Sequence, residues 1–358
     1  MVLTLIINRA TVAYVTASKL LLPALLAATA LALSGCSASS NGSAGGSGGS
    51  GGSAGDLRVV ATTTQVADLT RNVIGDAPGV TLTQLIQPNQ SAHSYDPSAA
   101  DLTALGRADV LVINGVGLEE WLTDAIDASG FHGVTIDSDA GITIAGSGAG
   151  NDEAARTADA AHDHAGGNPH IWTDVANAEA MTRTIAAGLE AASTADTDRA
   201  AAFTANAASY EGTLAALDSW IRANIDPVPA AERLLVSNHD AFGYFTTAYG
   251  ITYVGSVIPS FDDNAEPSAT EIDQLVTKIT ATGVKAVFSE ASISPKAADT
   301  IARQAGVTVY SGENALYGDS LGPAGSDGAT YVASQLHNVR LILESWGVTP
   351  TAVPADLR

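Results

Sequence analysis

The alternation of apolar and polar positions divides most of the chain into strands and helices. Leu57–Thr64 (LRVVATTT) is an apolar, β-branched run, the pattern of a buried strand. Comparable runs recur at Val80–Ile86, Asp109–Asn114, Val134–Asp137, Arg233–Ser237, Ile251–Val257, Ala286–Ser289 and Val307–Ser311. Helical periodicity fills most of the intervals, at about 65–74, 98–107, 117–128, 174–192, 240–249, 268–283 and 295–305, with 328–346 at the end. Strands alternating with helices predict an α/β architecture with parallel sheets.

The strands form two groups, before residue 140 and after residue 230. Between them, Asp198–Ile225 is Ala-rich and carries Phe203, Tyr210, Leu214, Leu217 and Ile221 at helical spacing. One amphipathic helix of about 28 residues, ~42 Å long, is predicted there, ended by Asp226-Pro227. Its length and central place make it a connecting spine between two lobes, one over 56–197 and one over 227–358, with the spine at 198–226. Residues 138–167 are rich in Gly, Ala and Asp, show no periodicity and contain His162 and His164; they read as an exposed, mobile loop.

The first residues have a different pattern. Residues 1–35 carry Arg9 and Lys19, no acid, and an apolar run of about 14 residues after Lys19, shorter than the ~20 a membrane-spanning helix needs. This is the shape of a cleaved secretory signal. Leu33-Ser34-Gly35-Cys36 resembles a bacterial lipobox, and Cys36 is the only cysteine in the chain. Residues 36–55 are then a lipidated cysteine and a Gly/Ser-rich tether. The expected location is outside the cytoplasm, anchored to the bacterial cell membrane.

Composition narrows the function. With 38 acidic and 16 basic residues in 358, the net charge is −22, which argues against nucleic-acid binding through a basic surface. One cysteine excludes an internal disulfide framework and a Cys-based zinc finger.

The chemistry rests on histidine. Three of the seven lie in loops suited to a site. His93, in PNQSAHSYDP, follows a predicted strand, where open α/β sheets bind ligands. His170, in NPHIWTD, is held between a proline and an aromatic residue. His239 also follows a strand, and Asp240 beside it is a candidate helix cap or an acceptor for the imidazole. His132 and His337 read as structural. Three positioned imidazoles suggest a metal, and a closed site wants a fourth ligand; Asp319, in a turn before the last helix, is the best candidate.

These segments together resemble the metal-binding lipoproteins of ABC importers for zinc and manganese, the cluster A-I solute-binding proteins. The matching features are the lipobox, AHSYDPS around His93, NPHIWTD around His170, SNHDAFGYF around His239, FSEASISPK around Glu290 and GDSLGPAGSDGATYVASQLHN from Gly318, spread over residues 57–346. The resemblance implies two Rossmann-like lobes joined by a single long helix, with the metal in the cleft. It implies His93 and His170 as ligands from the N-terminal lobe, His239 and Asp319 from the C-terminal lobe, and Glu290 as a supporting acid. It also implies an ABC permease and its ATPase as partners of a monomeric carrier. The family's zinc members often carry a His-rich loop; here that segment is short, and His162 and His164 are read as a solvated loop rather than a metal-collecting arm.

Three histidines and one carboxylate suit tetrahedral zinc (Zn2+), whereas manganese (Mn2+) prefers more oxygen ligands. A manganese carrier of the same family is the alternative. A surface adhesin or metal-sequestering protein is a third reading. A zinc hydrolase with Glu290 as base is disfavoured by the fourth ligand and by the absence of HExxH, so no enzyme is expected.

Overall fold

The computed structural model describes residues 55–146 and 167–358. The signal segment, Cys36, most of the tether, His162 and His164 lie outside the described residues.

The N-terminal half is a four-stranded parallel sheet of order β2-β1-β3-β4, made by β1 (Leu57–Ala61), β2 (Val80–Gln84), β3 (Val110–Ile113) and β4 (Val134–Asp137). The C-terminal half pairs β5 (Leu234–His239) with β6 (Thr252–Ile258), and β7 (Ala286–Phe288) with β8 (Thr308–Tyr310), both in parallel. Because β7 packs beside β5, the spatial order β6-β5-β7-β8 repeats that of the first half. Each strand is short and β-branched, and helices cover both faces, as parallel sheets require.

One inner core runs continuously through both halves, joining Val59, Ile171 and Phe203 to Leu235, Phe288 and Leu341. Two outer cores lie on the flanks. One is under α2 (Ala99–Gly106) and α3 (Leu122–Ser129), and the other is under α7 (Ala269–Thr282) and α8 (Lys296–Ala305).

The spine is the helix α5 (Thr197–Ile225), packed on α1 (Thr64–Ile74), α4 (Val175–Ala192) and α9 (Tyr331–Ser345). Asp196 caps it by accepting the Arg199 N–H at 3.0 Å. Phe203, Tyr210, Leu214, Leu217 and Ile221 form its buried stripe. Its two ends hold different halves of the molecule. Arg199 donates to the Pro78 carbonyl at 3.1 Å, whereas Arg222 donates to the Ala248 carbonyl at 2.9 Å. Among the described residues, no helix is long and apolar enough to cross a membrane.

The differences from the sequence expectations have local causes. β1 stops at Ala61 because Thr63 caps α1, its side chain accepting the Val66 N–H. α3 begins five residues later than its periodicity suggests. The buried Glu119 carboxylate instead accepts the N–H groups of Asn114 and Gly115 and the Thr62 hydroxyl, which holds this stretch as a turn. The start of the 138–167 segment is largely exposed, as expected, but it is anchored at two points. Ser138 is buried, and Ala145 donates its N–H to the Tyr244 hydroxyl at 2.9 Å.

Candidate metal centre

His239 is the last residue of β5 itself, two residues past the predicted strand end. A bulge shifts the β5–β6 register between Leu235 and Val236, and it is accommodated where Gly255 takes φ 151°. His93 lies on the segment after β2, where the Ser91 hydroxyl accepts its N–H at 3.2 Å and the Trp121 indole donates to the Ala92 carbonyl at 3.0 Å. His170 opens a tight turn that leads into α4, and the Trp172 ring stands edge-on to it at 5.3 Å. Asp319 sits between β8 and α9.

These four side chains, separated by up to 226 positions, meet at one point. One ligand atom from each lies within 4.8 Å of all the others. His93 Nε2 and His239 Nε2 are each 3.1 Å from Asp319 Oδ2, and His170 Nε2 is 3.3 Å from Oδ1. The two Nε2 atoms of His170 and His239 are 3.2 Å apart. A tetrahedral zinc with bonds of about 2.0–2.1 Å spaces its ligand atoms about 3.3–3.4 Å apart, so the cluster has the dimensions of a metal shell. His93 is 8% exposed and the other three are at most 1% exposed, which makes His93 the solvent side of the site.

The ring protons show what charge the arrangement favours at its centre. His170 Nδ1 donates to Asn168 Oδ1 at 2.7 Å, and the His170 backbone N–H donates to the same atom at 3.0 Å. Because a backbone N–H only donates, that Asn168 atom is oxygen and the proton of neutral His170 is on Nδ1. His239 repeats the device with Glu290, whose Oε1 accepts Nδ1–H at 2.8 Å and the backbone N–H at 3.0 Å. Both neutral rings therefore aim Nε2 lone pairs at each other and at a carboxylate. Buried acceptors facing one another are unfavourable unless a cation or a proton sits between them.

Of the two facing imidazoles, His239 is the one that favours a proton. Burial pulls its pKa down, but the Asp319 and Glu290 carboxylates outweigh burial and hold it well above the usual histidine value. Burial dominates at His170 and pushes it down to about 4. Asp319 pays a burial penalty too, yet the imidazoles of His239 and His170 hold its carboxyl well below the usual range. At Glu290 burial prevails and the pKa is raised.

The structure thus brings together all four candidate ligands and places Glu290 behind His239. Asp240 is a correction. It neither caps the next helix, α6 (Gly243–Ala248), nor accepts from the His239 ring; its carboxyl faces the Tyr253 hydroxyl. Glu290 is close enough for both of the His239 donors, so the imidazole is already satisfied. His337 is structural, donating Nε2–H to the Ala315 carbonyl at 2.9 Å, and His132 is exposed in a turn. Sequence reasoning missed Asn168, although it stands two residues from His170 in the same motif.

The fold and the site together define a two-lobed solute-binding protein with a His3Asp centre. Residues 59–345 match the family model described as zinc-uptake complex component A, periplasmic. The chain is 30% identical over 336 residues to the manganese-binding lipoprotein MntA of Bacillus subtilis, covering 91% of this chain and 98% of that protein. It is also 30% identical over 290 residues to the zinc-binding protein TroA of Treponema pallidum, covering 80% and 87%. The solved structure of that periplasmic zinc-binding protein superposes with a TM-score of 0.70 at 26% identity, over 82% of this chain and 99% of the other. The chain belongs to this family of metal-binding substrate-binding proteins of ABC transporters. Proteins of this class bind and deliver, and the hydrolase alternative falls with that membership.

Proposed function

We propose that this protein captures a divalent metal ion, zinc in the first place, in the His93–His170–His239–Asp319 shell and delivers it to a membrane permease driven by an ATPase. The observation that carries this reading is the convergence of four buried ligand groups, with the ring protons of His170 and His239 committed to Asn168 and Glu290. Three neutral imidazoles and one carboxylate leave a divalent ion with a net charge of +1, and this ligand set suits tetrahedral zinc. Relatives named for zinc and for manganese both stand near this chain, so manganese is the second reading.

The protein acts as a monomer, held to the outer face of the cell membrane through a lipid on Cys36 and the tether at 36–55. Its working parts are the lobe at 56–197, the spine at 198–226 and the lobe at 227–358. A large α5, fixed to both halves, limits the opening of the cleft to small motions.

The test is a competition titration of the chelator-stripped full chain in detergent with zinc and manganese, repeated for His239→Ala and Asp319→Ala. One tight zinc equivalent, strongly weakened by both substitutions, is the expected result. Tight manganese with weak zinc changes the metal but keeps the carrier. Absence of a tight site for either ion overturns the function.

A further inference from the structure

Asp319 belongs by sequence to the C-terminal half, but the residues on either side of it, Gly318, Ser320 and Leu321, are bonded to the N-terminal half. Up to Tyr317 the chain is attached to the C-terminal sheet. The Leu316 N–H donates to the Ser289 carbonyl at 2.9 Å, the Ala291 N–H donates to the Leu316 carbonyl at 2.9 Å, and Tyr317 exchanges two bonds with the Asn338 amide. From Gly318 onward the partners change. The Gly318 carbonyl accepts from Gln65 Nε2 at 2.9 Å and from the Trp172 indole at 3.2 Å. The Ser320 hydroxyl accepts the Asn89 N–H at 2.8 Å, and the Leu321 N–H donates to Thr64 Oγ1 at 2.8 Å. Further on, the Tyr331 N–H donates to Asp68 at 3.0 Å and its hydroxyl donates to the Trp172 carbonyl at 2.7 Å.

We infer that Gln65, with Thr64 and Trp172, positions Asp319 as a ligand of the N-terminal half, so that His93, His170 and Asp319 form one rigid three-ligand set. His239, backed by Glu290, is then the single ligand carried by the other half. The orientation of Gln65 is itself fixed. The Thr64 hydroxyl proton donates to Gln65 Oε1 at 2.9 Å, which leaves Nε2 facing the Gly318 carbonyl. Gln65, Thr64 and Trp172 are all buried, so each bond is made away from competing water. Trp172 is two residues from His170 and therefore ties that ligand to Asp319 through one short segment. Gly318 is the crossing point between the halves; a Cβ there would collide with the Glu290 carboxylate, so any side chain at this position must displace Glu290. Parting of the halves removes His239 first and leaves a His2Asp half-site, the arrangement from which an ion is most readily passed on.

This inference rests on the metal-carrier reading, and its test separates the two. Zinc affinity and dissociation rate are measured on the full chain for wild type, Gln65→Met, Asp319→Ala and the double variant. Gln65→Met keeps the volume and removes the donor. The expected result is a loss of about 10–100-fold in wild type, the size usual for groups that orient a ligand, and no further loss in the Asp319→Ala background. Cobalt substituted for zinc reports the same change, with the absorption of Gln65→Met moving toward that of Asp319→Ala. Equal losses in both backgrounds, or none in wild type, overturn the positioning role while the carrier reading stands. If wild type itself binds no metal tightly, both fall. Thr64→Val, which is isosteric and deletes the hydroxyl that orients Gln65, reads the same cycle if Gln65→Met does not fold.

Discussion

His170 and His239 are the same side chain in nearly the same place. Both are completely buried and their Nε2 atoms are 3.2 Å apart. Their proton affinities nevertheless go in opposite directions, one down to about 4 and the other well above the histidine norm. The difference is the atom behind each ring. The N-terminal half supports its imidazole with the neutral amide of Asn168, and the C-terminal half supports its own with the carboxylate of Glu290. An amide orients a ring without favouring its charge; a buried carboxylate does both. Of these two imidazoles, His239 is therefore the one that favours a proton, which an incoming ion displaces.

The comparison can be broken at Glu290. Glu290→Gln leaves an acceptor for Nδ1–H but makes the two halves alike. We expect zinc binding at alkaline pH to weaken by about 10–100-fold, and the pH dependence around neutrality to flatten. Equilibrium titrations at several pH values check both. In the wild type the sign is the reverse of flat. Because His239 must lose its proton to bind metal, affinity rises with pH through neutrality, by up to about tenfold per unit while one proton is displaced. Calorimetry in two buffers of different ionisation enthalpy should count about one proton released per ion.

Asn168→Asp sharpens the same contrast from the other side. It gives His170 a carboxylate like that of His239, so more protons are released per ion and affinity at neutral pH falls by a smaller factor than in Glu290→Gln. The smallest effect concerns the metal-free protein. The folded pKa of His239 lies above its unfolded value, so its pairing with Asp319 and Glu290 stabilises the fold fully below the unfolded pKa. That contribution is lost as pH rises through the folded pKa. Thermal unfolding of the stripped protein should therefore move a few degrees lower as pH increases above neutrality, and bound zinc should abolish the trend.

Most of the framework was legible in the chain. All eight strands of the described residues and the spine helix lie where apolar runs and helical spacing put them, because local periodicity records which face of each element is buried. The ends were less legible. β1 and α3 stop or start where a single side chain captures backbone groups, as Thr63 and Glu119 do, and hydrophobic spacing carries no record of that. The candidate ligands stood out because a histidine at a strand end or between proline and tryptophan is positioned by its neighbours. Asp240 misled for the same reason: adjacency in sequence suggested a partner, while His239 had already taken one 51 positions away.

The sequence by itself determined the alternating α/β pattern, the length of the spine, the order of the histidines and the acidic composition, since each is written in local spacing or in counts of residue types. Tertiary structure alone decided which acid stands behind which imidazole, and to which half of the molecule Asp319 is attached. Those are matters of hydrogen bonds between positions up to 263 apart, such as Asp68 with Tyr331. A bond of that kind depends on where two elements meet after packing, and no local pattern specifies that meeting.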